Sequence, residues 1–346
     1  MDLEENDNFY KRASAYEAEG LHDLAIEEYT KAIKMDTENA GFYFSCRGLV
    51  YEIKELYDLA IKDYTKAIRL APDADVFYNR GLIYQRKGLY NKAIKDYTTA
   101  ILFDSQSPDY FYRRALLYER KGLYNRAIKD YTKLIKLMHR SDIEAYFRRG
   151  NIYEEKGLKD MAIKDYTQAI KIEPLSFDGW NFKGRTLLKL ERNEEAQKCF
   201  DKVISQKPNN ADAWNNKGLL LYTEEKSSEA IHHFNKAISI DPNHVDAWNN
   251  KGFSLEKQGE YPEAIECYDK SIAIDQNNAI TWFGKGNTLY KQEKYSEAIE
   301  CYDKSIAINP NKANVWNNKG YVLRLIKRYA EAQECFDKVK QLEYRE

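Results

Sequence analysis

Apolar and aromatic residues recur along the chain with a period of about 34 residues, in two groups that each have helical spacing. The first group has an aromatic residue at position 4 of the period, a small residue at position 8 and usually Tyr or Leu at position 11. The second has Ala at position 20, Tyr or Phe at 24 and Ile at 28. Spacings of three and four residues place each group on one face of an α-helix. Each period therefore predicts two helices, A and B, that pack against each other.

The tryptophans fix the register of this period, because each of the five lies four residues before a glycine. They are Trp180, Trp214, Trp248, Trp282 and Trp316. Aligned on that glycine as position 8, residues 6–346 divide into ten repeats, which start at residues 6, 41, 74, 108, 143, 177, 211, 245, 279 and 313. Residues 1–5 are left as an N-terminal extension. A unit of this length cannot bury its apolar face alone, so the repeats must stack into one solenoid.

Glycine and proline occur where this scheme places the helix borders. Position 15, just after helix A, needs a left-handed residue and is often glycine. These glycines are Gly20, Gly88, Gly122, Gly157 and Gly259. Proline is tolerated only in a first helical turn or beyond a helix end. All seven prolines obey this rule, and they are Pro72, Pro108, Pro174, Pro208, Pro242, Pro262 and Pro310.

The combined pattern resembles the tetratricopeptide repeat. The segment that starts at Ala247, AWNNKGFSLEKQGEYPEAIECYDKSIAID, carries nearly every residue of that motif. The resemblance covers almost the whole chain and implies an all-α fold, a right-handed alpha-alpha superhelix of ten helix-turn-helix repeats. Two features depart from the family pattern. Arg or Lys replaces an aliphatic residue at position 7, and repeat 4 has Leu134 at position 27 and no proline after helix B.

Composition and charge fit a chain with much exposed helix surface. Charged residues make up 32% of the sequence, hydrophobic residues 43%, and the formal net charge is −1. No apolar run reaches membrane length, and the acidic N-terminus is unlike a signal peptide. Four cysteines share position 23 of different repeats, about 10 Å apart and too far for a disulfide, so we expect free thiols in a cytoplasmic setting. They are Cys199, Cys267, Cys301 and Cys335.

Two positions that change together divide the repeats into two sets. Repeats 1–5 have Arg at position 7 and an acid at 23, whereas repeats 6–10 have Lys at 7 and Cys or His at 23. Antiparallel packing of A on B brings these positions close, which predicts an arginine–carboxylate pair in each early repeat. Solvated, unpaired charges are the alternative. The residues concerned are Arg12, Arg47, Arg80, Arg114 and Arg149, with Glu28, Asp63, Asp96, Asp130 and Asp165.

The last helix has a more polar surface than its equivalents. Position 28 is Ile in repeats 1–9 but Lys340 in repeat 10, and position 21 there is Gln333. Terminal repeats of a solenoid need a polar outer face. We therefore expect the last repeat to act as a cap.

Sequence motifs of catalysis are missing. The chain has no glycine-rich phosphate loop, no nucleophile elbow, no His-Glu-x-x-His and no Cys-x-x-Cys. We therefore expect no enzymatic activity, no cofactor and no metal site, and function must be sought on a surface.

In the family that the chain resembles, positions 2, 5, 6, 9 and 12 of helix A line a concave groove that contacts ligands. Here they supply acids at 2 and 12, rings at 5 and 9, and amides mainly at 5 and 6. An asparagine amide can pair with peptide backbone while rings take side chains; ordinary solvated asparagines are the alternative. The candidate peptide-binding residues are Tyr78, Asn79, Tyr112, Arg113, Phe147, Arg148, Asn151, Asn181, Arg185, Asn215, Asn216, Asn249, Asn250, Phe253, Phe283, Asn287, Tyr290, Asn317, Asn318 and Tyr321.

Within this set, Asn216, Asn250 and Asn318 resemble the asparagine ladder of O-linked N-acetylglucosamine transferases, interrupted here by Gly284. The carboxylate clamp of chaperone adaptors needs Lys at position 5, which no repeat has. We therefore expect a non-catalytic protein-interaction scaffold that binds an extended or helical segment, neutral to basic, in its concave groove.

Two alternatives to a groove-binding scaffold stay open. A helical-repeat RNA-binding protein needs a positive groove, and the acids at positions 2 and 12 would repel phosphate. A structural subunit that uses its convex face is the other alternative. Neither nucleic acid nor a membrane is an expected partner, and the oligomeric state is open.

Overall fold

The computed structural model describes residues 3–139 and 141–343, and of residues 3–8 the backbone only. Within these residues it contains twenty α-helices and no strand. The A helices are α1 (Leu3–Ala18), α3 (Ala40–Ile53), α5 (Ala74–Arg86), α7 (Pro108–Arg120), α9 (Ile143–Glu155), α11 (Phe177–Leu188), α13 (Ala211–Thr223), α15 (Val245–Gln258), α17 (Ala279–Lys291) and α19 (Ala313–Leu325).

The B helices complete the pairs. They are α2 (His22–Met35), α4 (Tyr57–Leu70), α6 (Tyr90–Phe103), α8 (Tyr124–Leu137), α10 (Lys159–Ile172), α12 (Asn193–Gln206), α14 (Ser227–Ile240), α16 (Tyr261–Ile274), α18 (Tyr295–Ile308) and α20 (Tyr329–Glu343). The predicted all-α fold of helix-turn-helix repeats is confirmed. Of the predicted N-terminal extension, residues 1–2 lie outside the described residues and residues 3–5 belong to α1.

The small residue at position 8 lets helix A approach the aromatic ring at position 24 of helix B. A Cβ atom added to Gly184 would lie 2.4 Å from Cε1 of Phe200, and one added to Gly252 would lie 2.7 Å from Cε1 of Tyr268. These rings are fully buried. A small residue at position 8 thus permits the close contact between helix A and the ring.

The turn between helices A and B has one conformation throughout. Position 15 has a positive φ in all ten repeats, and five of these residues are the predicted glycines. The other five are Glu55, Glu191, Glu225, Glu293 and Lys327. A left-handed conformation costs a non-glycine residue roughly 1–2 kcal/mol, so half of the repeats carry this strain.

By its contacts the chain divides into two compact units, Met1–Glu173 (unit 1) and Pro174–Glu346 (unit 2). The boundary falls between repeats 5 and 6, where the residues at positions 7 and 23 change in the sequence. Within each unit, every A helix packs on the B helix that follows it. That the repeats form one domain stays a prediction.

Unit 1 contains the arginine–carboxylate pairs that the sequence predicts. Nε and Nη2 of Arg114 donate to the two carboxylate oxygens of Asp130 at 2.7 and 2.8 Å. The Asp130 side chain is only 4% exposed. Arg47, Arg80 and Arg149 pair with Asp63, Asp96 and Asp165 in the same way. Arg12 is more exposed, and its Nε and Nη2 both contact one carboxylate oxygen of Glu28. The prediction of a pair in each early repeat is confirmed.

Unit 2 contains the tryptophans, which tie each helix A to the turn that precedes it. Nε1 of Trp214 donates to the carbonyl oxygen of Pro208 at 2.7 Å, and Trp180, Trp248 and Trp316 bond Pro174, Pro242 and Pro310 likewise. Trp282 makes the same bond to Gln276. Each tryptophan therefore anchors the start of its own helix A to the turn six residues earlier in the sequence.

The last helix presents its polar residues to solvent. Gln333 and Lys340 are both exposed on α20, and Nε2 of Gln333 donates to Asp337 at 2.9 Å. That repeat 10 acts as a cap stays a prediction. No helix in the described part of the chain combines the length and the apolar character needed to cross a membrane.

Candidate functional site

The A helices of repeats 6–8 line an open cavity of about 330 Å³ in unit 2. Their position-2 carboxylates, Asp178, Asp212 and Asp246, lie on its border and are exposed. Arg185 is the one basic residue in the lining. With three carboxylates against one guanidinium, the cavity has a negative charge and favours a cationic ligand group.

Asp212 is held in its charged form by its neighbour. Nε2 of His244 lies 3.2 Å from Oδ1 of Asp212, and Nδ1 of His244 accepts a bond from the backbone N–H of Ala247 at 3.3 Å. A neutral imidazole with its proton on Nε2 satisfies both bonds. The hydrogen bond from His244 lowers the pKa of Asp212. The carboxylate is therefore ionised at neutral pH.

Amide side chains from positions 5 and 6 form the floor of this cavity. Asn181, Asn215, Asn216 and Asn249 all line it and are each at least 94% buried. Nδ2 of Asn250 donates to Oδ1 of Asn215 at 3.0 Å, which links repeats 7 and 8. The candidate amides therefore bond to one another as well as lining the cavity.

Two of these floor amides keep an acceptor without a partner. Oδ1 of Asn249 and Oδ1 of Asn181 are buried and have no hydrogen bond. In repeat 9 Gly284 occupies position 6, where Asn250 makes its bond in repeat 8, so no amide reaches Asn249. A buried acceptor without a hydrogen bond costs about 1–3 kcal/mol. Such atoms point to a ligand or a water that satisfies them.

Gly284 cannot be replaced by asparagine without movement. A Cβ atom at this position would lie 2.9 Å from ring atoms of both Phe253 and Tyr268. The two rings therefore fill the space that an asparagine at position 6 would need.

A second cavity, of about 680 Å³, adjoins the first in repeats 8–10. Phe253, Ile280 and Phe283 supply apolar lining, and Val315 and Ile308 lie in its wall. Phe253 and Ile280 line both cavities. The candidate rings Phe253 and Phe283 are thus placed beside the amide floor.

The acids at position 12 are engaged within the protein rather than free to meet a ligand. Oε2 of Glu119 accepts a bond from the buried Tyr131 hydroxyl at 2.7 Å. Glu256 accepts from Tyr268 and Thr288 and lies 2.9 Å from Nζ of Lys291. Both carboxylates thus serve contacts within the protein, and that position 12 adds to the acidity of the groove stays a prediction.

The candidate residues of unit 1 are half-buried and contact their own unit. The Tyr78 ring packs against Tyr97 and Tyr110, and Phe147 against Tyr166. Arg148 pairs with Glu144 at 2.7 Å. Asn151 accepts a bond from Tyr166, and Asn79, Tyr112 and Arg113 are half-buried on α5 and α7.

The remaining candidates of unit 2 lie in repeats 9 and 10. Oδ1 of Asn287 accepts bonds from the Tyr302 hydroxyl at 3.0 Å and from Nδ2 of Asn318 at 2.9 Å. Asn317 is half-buried. Tyr290 and Tyr321 are exposed and pack against Tyr295 and Phe336.

Sequence reasoning missed Ile280, Leu219 and Phe182, which line the first cavity. Ile280 could have been found, because it occupies position 2 of repeat 9, where repeats 6–8 have aspartate. The signal was a break in the acidic row. Leu219 and Phe182 occupy positions 9 and 6, so their position in the repeat would also have placed them in the groove.

Chemical groups that could act as nucleophiles or metal ligands are dispersed. No group of three or more His, Cys, Asp or Glu residues in the described ranges could hold a metal ion. The five cysteines are free. Burial raises the pKa of the Cys199, Cys267 and Cys301 thiols to about 11, so they are weak nucleophiles at neutral pH.

Solved structures of low sequence identity share the fold. One is PilF of Pseudomonas aeruginosa, 21% identical, with a TM-score of 0.51 over 58% of this chain and 91% of that one. Another is Tom70 of yeast, 15% identical, with a TM-score of 0.57 over 98% of this chain and 92% of that one. No curated protein sequence matches the chain.

Family models described as "Tetratricopeptide repeat" match most of the sequence. One model matches residues 74–107, 143–174, 211–244, 245–278 and 279–312. Two others match residues 7–39, 47–73, 108–137 and 177–210, and residues 301–334. Members of this family are generally non-catalytic and bind protein partners. The chain therefore belongs to the tetratricopeptide repeat family, whose architecture is that of protein-interaction scaffolds.

Proposed function

We propose that unit 2 binds an extended, basic segment of a partner protein in the cavity of repeats 6–8, and that the chain is a non-catalytic scaffold. One observation carries the proposal. Two buried amide oxygens, on Asn181 and Asn249, have no hydrogen-bond partner in the floor of a cavity bordered by three carboxylates.

The two kinds of group suit two parts of a peptide. An unpartnered amide oxygen accepts a backbone N–H and makes no demand on sequence. Carboxylates at position 2 of consecutive repeats suit lysine or arginine side chains. A neutral or basic extended segment satisfies both, whereas an acidic segment is repelled by Asp178, Asp212 and Asp246.

The same charges disfavour RNA. Nucleic-acid binding depends on neutralising phosphates with lysine and arginine, and this cavity has one arginine, Arg185, against three aspartates. A structural subunit that docks through its B helices is a second candidate, and exposed apolar residues such as Leu102 and Phe103 on α6 are the feature that favours it. The five free cysteines suit a reducing, cytoplasmic setting.

A charge-removal variant tests the groove. We expect D178N/D212N/D246N to weaken binding of a fluorescein-labelled lysine-rich peptide about tenfold or more, since each exposed charge pair contributes up to about 1 kcal/mol. Fluorescence anisotropy measures the affinity. Added salt should weaken binding to the unmodified protein and affect the variant less.

A matched control removes the same charge from the same unit. Glu229, Glu263 and Glu297 are exposed, lie in the first turns of α14, α16 and α18, and are absent from the linings of both cavities. E229Q/E263Q/E297Q should change the affinity less than about twofold. Equal losses of peptide affinity in the two variants would show a non-specific charge effect. Tighter binding of RNA than of peptide would contradict the proposal and favour an RNA-binding protein.

A further inference from the structure

Repeat 9 interrupts the groove pattern at three positions at once. At position 2, Ile280 replaces the aspartate of repeats 6–8. At position 5, Phe283 replaces their asparagine, and at position 6 Gly284 replaces Asn216 and Asn250 of repeats 7 and 8. These are the positions that line the acidic cavity in the preceding repeats. The acidic and amide surface therefore stops at repeat 9 and becomes apolar.

The substitutions act together in the structure. Because Gly284 has no side chain, the ring of Phe253 can lie against its backbone. Phe253, Ile280 and Phe283 then line one side of the cavity of about 680 Å³. Ile280 is 59% exposed although it is apolar. An apolar side chain exposed within a concave, largely apolar cavity is typical of a binding site.

The apolar cavity continues the acidic cavity without a gap. Phe253 and Ile280 belong to the linings of both. Asn249, with its unpartnered oxygen, lies in repeat 8 with Asp246, the repeat that precedes Ile280. A segment bound along the acidic cavity would therefore run directly into the apolar one.

We propose that repeat 9 selects a large aliphatic or aromatic side chain of the bound segment, so that the ligand combines a basic residue with an apolar residue nearby. This inference rests on the proposed function and adds a requirement of sequence to it. Neighbouring repeats lie about 10 Å apart, and an extended chain advances about 3.3 Å per residue. The apolar residue should thus stand about three residues from the nearest basic one.

The occupant is a segment of a partner protein. Charge complementarity argues for it, because the adjoining cavity is lined by Asp178, Asp212 and Asp246 and a purely apolar ligand would leave them unused. The polar rim of the second cavity, which includes Asn277, Asn278 and Asn314, suits a backbone that enters and leaves it.

The test is a double-mutant cycle between protein and peptide. One synthetic, fluorescein-labelled peptide carries a lysine pair and a phenylalanine three residues beyond it, and a second has serine in place of phenylalanine. Ile280→Ser should weaken the phenylalanine peptide about tenfold and the serine peptide less than twofold. Leu325→Ser is the matched control, because Leu325 is 54% exposed in α19 and lines neither cavity.

A specificity exchange adds a second measurement. Ile280→Asp restores at position 2 the acid of repeats 6–8. It should weaken the phenylalanine peptide and strengthen a peptide with a third lysine in its place. Moving the phenylalanine next to the lysine pair, or six residues away, should lower the affinity of the unmodified protein.

The outcomes separate the two proposals. If D178N/D212N/D246N weakens both peptides but Ile280→Ser affects them equally or not at all, the apolar requirement is overturned and the basic groove stands. If neither variant weakens either peptide, the proposed function fails as well. A concentration-dependent rise in mass that Ile280→Ser abolishes would show that a second copy occupies the cavity, which also overturns the inference.

Discussion

Both units have a cation at position 7 of helix A, but they pair it with different partners. In unit 1 the cation is an arginine that pairs with the acid at position 23 of its own repeat, as Arg114 does with Asp130. In repeats 7, 9 and 10 of unit 2 it is a lysine that reaches the aspartate at position 25 of the preceding repeat. Nζ of Lys319 lies 2.5 Å from Asp303, and Lys217 and Lys285 reach Asp201 and Asp269 likewise.

The surroundings of the two kinds of pair differ as much as the partners. The Arg114 guanidinium lies between the rings of Phe111 and Tyr118 and also donates to Thr98 of the preceding repeat at 3.1 Å. Asp303, by contrast, has a side chain that is 53% exposed, and the buried position 23 holds a neutral cysteine. Arginine suits a dry site with several acceptors, whereas lysine suits a solvated single contact. Both members of the Arg114–Asp130 pair are thus buried, whereas in the Lys319–Asp303 pair the lysine is mostly buried and the carboxylate is exposed.

The largest expected difference between the units is in the loss of stability when one carboxylate is removed from each. Asp130→Ala leaves the Arg114 guanidinium buried without its partner, which costs about 3–5 kcal/mol. Asp303→Ala removes an exposed partner and should cost only about 0–1 kcal/mol. Guanidinium melts followed by helical circular dichroism would measure both.

The tryptophans allow the unfolding of unit 2 to be measured separately from that of the whole chain. All five lie in unit 2, so their fluorescence reports the unfolding of that unit. Asp130→Ala should lower the circular dichroism transition with little change in the fluorescence transition. Similar losses for Asp130→Ala and Asp303→Ala would contradict the distinction between buried and solvated pairs.

Transplanting the unit 1 arrangement into unit 2 sharpens the comparison. Cys301→Asp alone places a carboxylate at a site that is 5% exposed, beside Lys285, whose ammonium is engaged with Asp269. We expect a loss of about 2–4 kcal/mol. Adding Lys285→Arg and Asp269→Thr rebuilds the three-residue set of unit 1 and should recover at least half of it. Equal stabilities of the single and triple variants would show that the surrounding rings, not the pair, set the preference.

Much of this contrast was visible in the sequence. The covariation of positions 7 and 23 predicted the pairs of unit 1, because antiparallel helices bring these positions together. The partner of the lysines was missed, although position 25 also changes with the unit, from Thr98 in repeat 3 to Asp303 in repeat 9. That contact joins two repeats, and its geometry depends on how repeats stack, which periodicity within one repeat does not give.

The candidate site was predictable in part for a similar reason. Register placed the amides and rings on helix A, and the structure locates many of them around the two cavities of unit 2. The position of a residue within its repeat does not show that Asn250 donates to Asn215 while Asn249 has an unpartnered oxygen. It also does not show that Glu256 accepts a hydrogen bond from the Tyr268 hydroxyl. Those outcomes depend on distances between side chains of neighbouring repeats.

Position 8 offers a further difference between the units. It is alanine in two repeats of unit 1, at Ala13 and Ala115, and glycine throughout unit 2. Gly252→Leu should cost about 1–3 kcal/mol or more, since even a Cβ atom there would lie 2.7 Å from the Tyr268 ring. Ala115→Gly should cost about 1 kcal/mol, mainly through helix propensity. Tryptophan fluorescence melts would measure the loss of stability in Gly252→Leu. A loss smaller than that of Ala115→Gly would refute the tight contact at Gly252.

The smallest expected effect concerns the left-handed turn at position 15, where glycine is the rule in unit 1 and the exception in unit 2. Four repeats of unit 1 have glycine there, but unit 2 has only Gly259, and Glu191 and Glu293 are held at φ near 60°. Glu191→Gly and Glu293→Gly relieve strain of roughly 1–2 kcal/mol but add chain entropy to the unfolded state, so each should stabilise unit 2 by about 0.5–1 kcal/mol. Gly122→Ala in unit 1 is the converse, because a Cβ there meets no atom within 4 Å and only the backbone is strained. It should destabilise by about 1 kcal/mol. Melts of the three variants check both signs, and a destabilising Glu293→Gly would mean that the glutamate makes a contact worth more than its backbone strain.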